Sequence, residues 1–298
     1  MGSADRNHPG TAASRRAFIL SAALTLTGCQ NPPENRTDRP ENATAGAGAP
    51  AGLPPAPLPP EPLPSPPGKE QIVATFTGQA PLAWGLQLPG VLTHLPPGNA
   101  GIALSFDCCG GPGGNAVDQN LIDALQKTGT PATFFLNLRW IRANPGPAKS
   151  LAENPLFEIG NHGTRHVPLS VSGRSAYGIP GTASVAEIYD EVMTNQDAIH
   201  GLTGRAARYF RSGTAYLDDV AVRIVHAMGM VPVSFSTNGD GGATYPAAVV
   251  FREITAARAG EIVIAHANHP TGGTAAGIVR ALPALRAAGV IPVPLTDT

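Results

Sequence analysis

The sequence predicts an α/β fold in which a parallel sheet is flanked by helices. From Gly101 onward, short apolar runs alternate with amphipathic stretches about seven times. Gly, Pro, Asn or Asp bound most of these runs, and chemically capable side chains gather just after them. Such alternation puts helices against a parallel sheet, closed as a barrel or open and doubly wound. The sequence contains no internal repeat.

The elements follow in order. Strands are expected at 102–106, 132–136, 157–159, 208–210, 231–235, 261–265 and 290–293, each brief and apolar. Helical periodicity covers 120–127, 185–200, 218–228, 247–259 and 275–288. Ser184 suits an N-cap, and Gly201, Gly260 and Gly289 stand where helices are expected to stop.

The first 69 residues read differently. Arg15-Arg16 precede an apolar run at 18–26 that is too short for a membrane-spanning helix of about 20 residues. It ends in Leu26-Thr27-Gly28-Cys29, which resembles a lipoprotein cleavage site, so residues 1–29 are expected to be a twin-arginine signal peptide. Cleavage leaves a lipidated Cys29 as membrane anchor, and the protein is then exported and held in the cell envelope. Residues 30–69 are rich in Pro and Ala and poor in bulky apolar residues, so a disordered linker is expected. Residues 70–298 form one domain of ordinary size. With Lys+Arg 20 against Asp+Glu 21, nothing marks a nucleic-acid binder.

The polar residues after the strands carry the chemistry. Asp107 follows the first, His162 and His166 the third, Arg211 the fourth, Asp240 the fifth and His266 the sixth. All would lie at strand C-termini, where parallel α/β folds place their active sites. His162-Gly163-Thr164-Arg165-His166 spaces two imidazoles so that they can converge on one cation. Asn268 and His269 are candidates for substrate contact or loop capping, and Trp140, Tyr177 and Tyr216 for stacking on sugar faces. His94, His200 and His226 belong to no such group.

Five segments in this order resemble the motifs of NodB-like polysaccharide deacetylases, carbohydrate esterase family four. They are Leu104-Ser105-Phe106-Asp107, Asn161 to His166 as above, Phe210-Arg211-Ser212-Gly213-Thr214, Asn238-Gly239-Asp240 and Ile262-Val263-Ile264-Ala265-His266. The resemblance implies a distorted (β/α) barrel, short of eight strands, and a monomer acting on an acetylated polysaccharide. It also implies a divalent cation, zinc first and cobalt or nickel next, held by His162 and His166. Asp107 then resembles the general base, Arg211 its holder, His266 the acid and Asp240 the carboxylate that tunes it. An oxyanion would lie near Thr214.

One departure stands out. The family carries a second aspartate, a metal ligand, where this chain has Cys108. Cys108 could ligate as thiolate, Asp107 could itself bind the metal, or metal and catalysis could both be lost. An intact site with Asp107 at or near the metal is the expectation, because the other motif residues are all present. Cys109 is expected merely to fill space beneath the rim. The alternative function is a non-catalytic glycan-binding surface lipoprotein of the same fold.

Overall fold

The computed structural model describes residues 66–296. The expected signal peptide, Cys29 and all but the end of the Pro-rich linker lie outside the described residues. Helix α1 (Lys69–Phe76) opens the described part, and a short strand β1 (Trp84–Gly85) pairs antiparallel with β6 (Leu217–Asp218).

The main sheet contains β2 (Ile102–Cys108), β3 (Ala132–Leu136), β4 (Phe157–Asn161), β5 (Tyr209–Phe210), β7 (Val231–Pro232), β8 (Thr237–Asn238) and β9 (Ile262–His266). Their order is β7-β5-β4-β3-β2-β9-β8, all parallel, and β10 (Pro292–Val293) pairs with the start of β2. The result is a curled half-barrel, as the distorted barrel of about seven strands anticipates. The run expected as one strand at 231–235 is strand only in β7 at its start, and the chain then crosses to β8 on the other sheet edge. Val233 N–H donates to Phe210 on one edge and Ser236 N–H to Ile262 on the other, so one short segment reaches across the opening.

Side chains on β2 alternate between two apolar clusters, as strand geometry demands. Ile102, Leu104, Phe106 and Cys108 join the core under the helices, whereas Ala103 joins Phe135, Tyr209, Ile262 and Leu295 in a separate cluster. Ser105 and Asp107 share the parity of Ala103. On β4, Gly160 lets Phe135 fill its place, since a Cβ there would stand 2.5 Å from the Phe135 ring.

Helices α2 (Gln119–Thr128), α5 (Val185–Thr203), α6 (Asp219–Ala227), α7 (Ala247–Ala256) and α8 (Thr274–Ala287) match the expected five. Ser184 caps α5 by accepting from Glu187 N–H, but that helix ends at Gly204 in the left-handed conformation rather than at Gly201. Helices α3 (Leu138–Ala143) and α4 (Pro145–Glu153) were not anticipated. Asn137 caps α3 and Pro145 starts α4, but α3 has only six residues and α4 buries only Ala148 and Leu151, so neither shows a clear apolar stripe.

Candidate active site

The C-terminal ends of the strands converge on a cavity of about 470 Å³ whose lining includes Asp107, His166, Thr214, Tyr177, Tyr245 and His266. An adjoining opening, sharing His166 and His266, adds Cys109, Asn268 and His269.

Asp107 is 4% exposed and held by a wholly buried arginine. Arg211 donates from Nη1 to Asp107 Oδ1 at 2.7 Å. Its Nη2 donates to Ser105 Oγ and the Ser234 carbonyl, and its guanidinium lies 4.2 Å from the centroid of Phe135. Burial pushes the Asp107 carboxyl upward, but Arg211, His162 and His266 together outweigh it and hold the group below its ordinary value. A buried carboxylate tolerates such a site because a buried guanidinium is paired with it.

The second group is a thiol between imidazoles. Cys109 Sγ lies 3.7 Å from His162 Nε2, which is 3.6 Å from Asp107 Oδ2. His162 Nδ1 is 2.9 Å from the Arg211 carbonyl, and as its donor it leaves the Nε2 lone pair facing Cys109. The His162 and His166 rings meet edge-on at 4.9 Å between centroids. One donor atom from each of Cys109, His162 and His166 lies within 4.8 Å of the other two. Burial opposes ionisation of Cys109, yet contacts with His162, His166 and His266 bring its thiol well below the usual range.

The third group is the His266–Asp240 pair. Asp240 Oδ1 lies 2.9 Å from His266 Nδ1, and Oδ2 accepts from His266 N–H and Thr274 Oγ1. Burial disfavours the imidazolium, but Asp240 and then Cys109 overcome this and raise the His266 pKa well above its ordinary value.

The donor set fits a divalent cation. Two imidazoles and a thiolate satisfy three tetrahedral positions and leave one open, and His166 Nε2 is buried with no hydrogen-bond partner among the described residues. Strained backbone gathers here too. His166, Tyr177 and Ala215 line the cavity with φ of 64°, 53° and 60°, a region that residues other than glycine seldom occupy.

Residues 95–233 match the family model for polysaccharide deacetylase. Over those residues the chain is similar to polysaccharide deacetylases. Solved structures with the same fold include BA3943, a family 4 carbohydrate esterase pseudoenzyme from Bacillus anthracis, at 22% identity and TM-score 0.58. The likeness covers 69% of this chain and 67% of that one. The Bc1960 peptidoglycan N-acetylglucosamine deacetylase is 19% identical with TM-score 0.58, covering 69% and 91%. A family 4 carbohydrate esterase from Streptomyces lividans, solved with acetate, is 20% identical with TM-score 0.54, covering 66% and 94%. No curated protein matches the sequence.

Within this fold the expected residues come together, with one substitution of parts. Asp107, His162, His166, Arg211, Asp240 and His266 meet at one mouth, and Thr214 lines it. Cys108 does not take part. It is wholly buried in the outer apolar core, and burial raises its thiol pKa well above normal. Cys109, expected as filler, is the residue that faces the histidines. Strand alternation explains the exchange: Cys109 follows the parity of Asp107, and Cys108 that of Phe106.

Other expectations also shift. Trp140 is buried in α3 with its indole N–H on the Ala116 carbonyl, so it presents no face to a sugar. Asn268 is buried, and its amide donates to Gly114 across the loop, a brace rather than a free substrate contact. His269 lines the adjoining opening, and Tyr177 stands exposed at the cavity, edge-on to Tyr216. The Gly110-to-Gly114 run makes a tight turn against α3, where a Cβ on Gly110 would meet Trp140 N at 2.4 Å.

Proposed function

We propose that this domain is a metal-dependent hydrolase that removes N-acetyl groups from a polysaccharide containing N-acetylglucosamine. The observation that carries the reading is the Cys109–His162–His166 donor set, flanked by a carboxylate held ionised and an imidazole held protonated. Zinc is the preferred cation, with cobalt and nickel as substitutes, because a thiolate beside two imidazoles suits these softer ions.

When bound, the cation supplies a Lewis acid and lowers the pKa of water from 15.7 to about 7. Asp107, oriented by Arg211, accepts the proton of the attacking water. Thr214 lines the wall near which the acetyl oxygen gathers charge. His266 then delivers its proton to the departing amine nitrogen, and Asp240 keeps that imidazole charged and aimed. Products are acetate and the free amine of the glycan.

The location follows from the leader: export, lipid anchorage through Cys29, and action on an envelope or secreted glycan as a monomer. A second reading keeps the fold but not the turnover, as a glycan-binding surface lipoprotein. The aspartate that the family resemblance implies as a metal ligand is replaced by Cys108, which is buried in the apolar core, and one similar fold belongs to a pseudoenzyme. Metal analysis of the purified protein, paired with acetate release from acetylated chito-oligosaccharides and peptidoglycan, separates the two. The hydrolase reading expects one zinc per chain and acetate release that a chelator abolishes and zinc or cobalt restores. Glycan binding without acetate release, at full metal content, would support the second.

A further inference from the structure

The loop that carries both histidines holds a costly shape. His166 has φ 64°, a region that residues other than glycine seldom occupy, whereas Gly163 holds φ 76° freely. Something outside the loop must compensate, and α5 supplies it. The Glu191 side chain has no solvent exposure. Its Oε1 accepts from Thr164 N–H at 3.0 Å, Arg165 N–H at 2.9 Å and His166 N–H at 3.1 Å. Three successive backbone donors thus close on one carboxylate, the concave arrangement that suits an anion. Arg165 Nε donates to Oε2 at 3.1 Å, and Thr164 Oγ1 donates to the Glu191 carbonyl at 2.9 Å. Gly163 is needed for the approach, since a Cβ there would stand 2.6 Å from Glu191 Oε1. One turn on, Asn195 Nδ2 donates to Asn161 Oδ1, which itself accepts from Gly163 N–H.

Glu191 lines neither cavity and has no part in the proton transfers described above. A buried charge with that much invested contact needs a role. We propose that Glu191 is a positioning residue that sets the metal affinity of the site by locking His166 into ligand geometry through the backbone. The proposal rests on the metal reading given above. It assigns to a helix outside the site the control of how well the loop binds its ion. Outer contacts of this kind typically govern metal affinity by about 10- to 100-fold.

The test titrates the full-length apoprotein with cobalt, following the visible ligand-field bands and the thiolate-to-cobalt charge-transfer band. Glu191→Gln retains size but sets an amide N–H against three N–H donors. It should fold with native circular dichroism, bind cobalt at least about tenfold more weakly and show altered band positions. In a His166→Ala background the same change should cost no further affinity, because the histidine it positions is gone. If Glu191→Gln does not fold, Glu191→Asp decides, since it keeps the charge but draws it back from the three N–H donors, and it too should weaken cobalt binding. Wild-type affinity and spectrum in whichever variant folds would overturn the proposal while the metal site stands. A wild-type protein that takes up no cobalt would sink the metal reading itself, and this inference with it.

Discussion

Asp107 and His266 are register partners on the neighbouring parallel strands β2 and β9. Their side chains therefore leave the sheet on the same face, Asp107 beside Arg211 and His266 beside Asp240. Each should act on its own proton. Asp107→Asn and His266→Ala are each expected to lower kcat by about 10²- to 10⁴-fold, the range for a lost general base or acid. Metal content should be unchanged in both. Metal loss in Asp107→Asn would instead make that carboxylate a ligand.

The two adjacent cysteines should respond in opposite ways. Cys109→Ser removes the thiolate and should abolish stoichiometric zinc at micromolar concentrations, read by elemental analysis after gel filtration. Cys108→Ser should keep its zinc but lose stability, because a hydroxyl in the apolar core costs about 1–3 kcal/mol when unpaired. Zinc retained by Cys109→Ser and lost by Cys108→Ser would reverse the assignment.

The rate should fall on the alkaline side through His266. The protonated ring is the active form, and its pKa is raised well above the ordinary value. Activity is therefore retained through neutral pH and declines as pH rises through that elevated pKa. Asp240→Asn removes the anion that favours the imidazolium, so the alkaline limb should move toward lower pH. A kcat–pH profile with an unmoved limb would detach Asp240 from this role.

Tyr177 projects from a strained backbone at the cavity and is 74% exposed. If it meets a sugar ring, Tyr177→Ala should raise KM for acetylated chito-oligosaccharides about 2- to 10-fold, the worth of one aromatic contact. The kcat should be nearly unaffected. Steady-state kinetics on oligomers of different length would show whether the effect needs more than one sugar.

Much of this was legible in the sequence, and the gaps have physical reasons. β3 emerged at its full bounds because five residues, four of them apolar, lie between Pro131 and Asn137. The site histidines, Asp107, Arg211 and Asp240 emerged because strand ends in a parallel sheet all open on one side. Cys109 was missed for want of one step, counting alternate residues along β2 from Asp107. The Glu191 clamp and the Ser105–Arg211–Ser234 contacts could not be read at all. They join residues far apart in the chain, and no local pattern of residue types announces them.

The segment that links β7 to β8 carries the Ser234 carbonyl that Arg211 grips, and six residues later Asp240. That short ribbon therefore braces the holder of the base at one edge of the sheet and leads through β8 to the holder of the acid at the other. Lengthening that ribbon would desynchronise the two halves of proton delivery while leaving every reacting group intact.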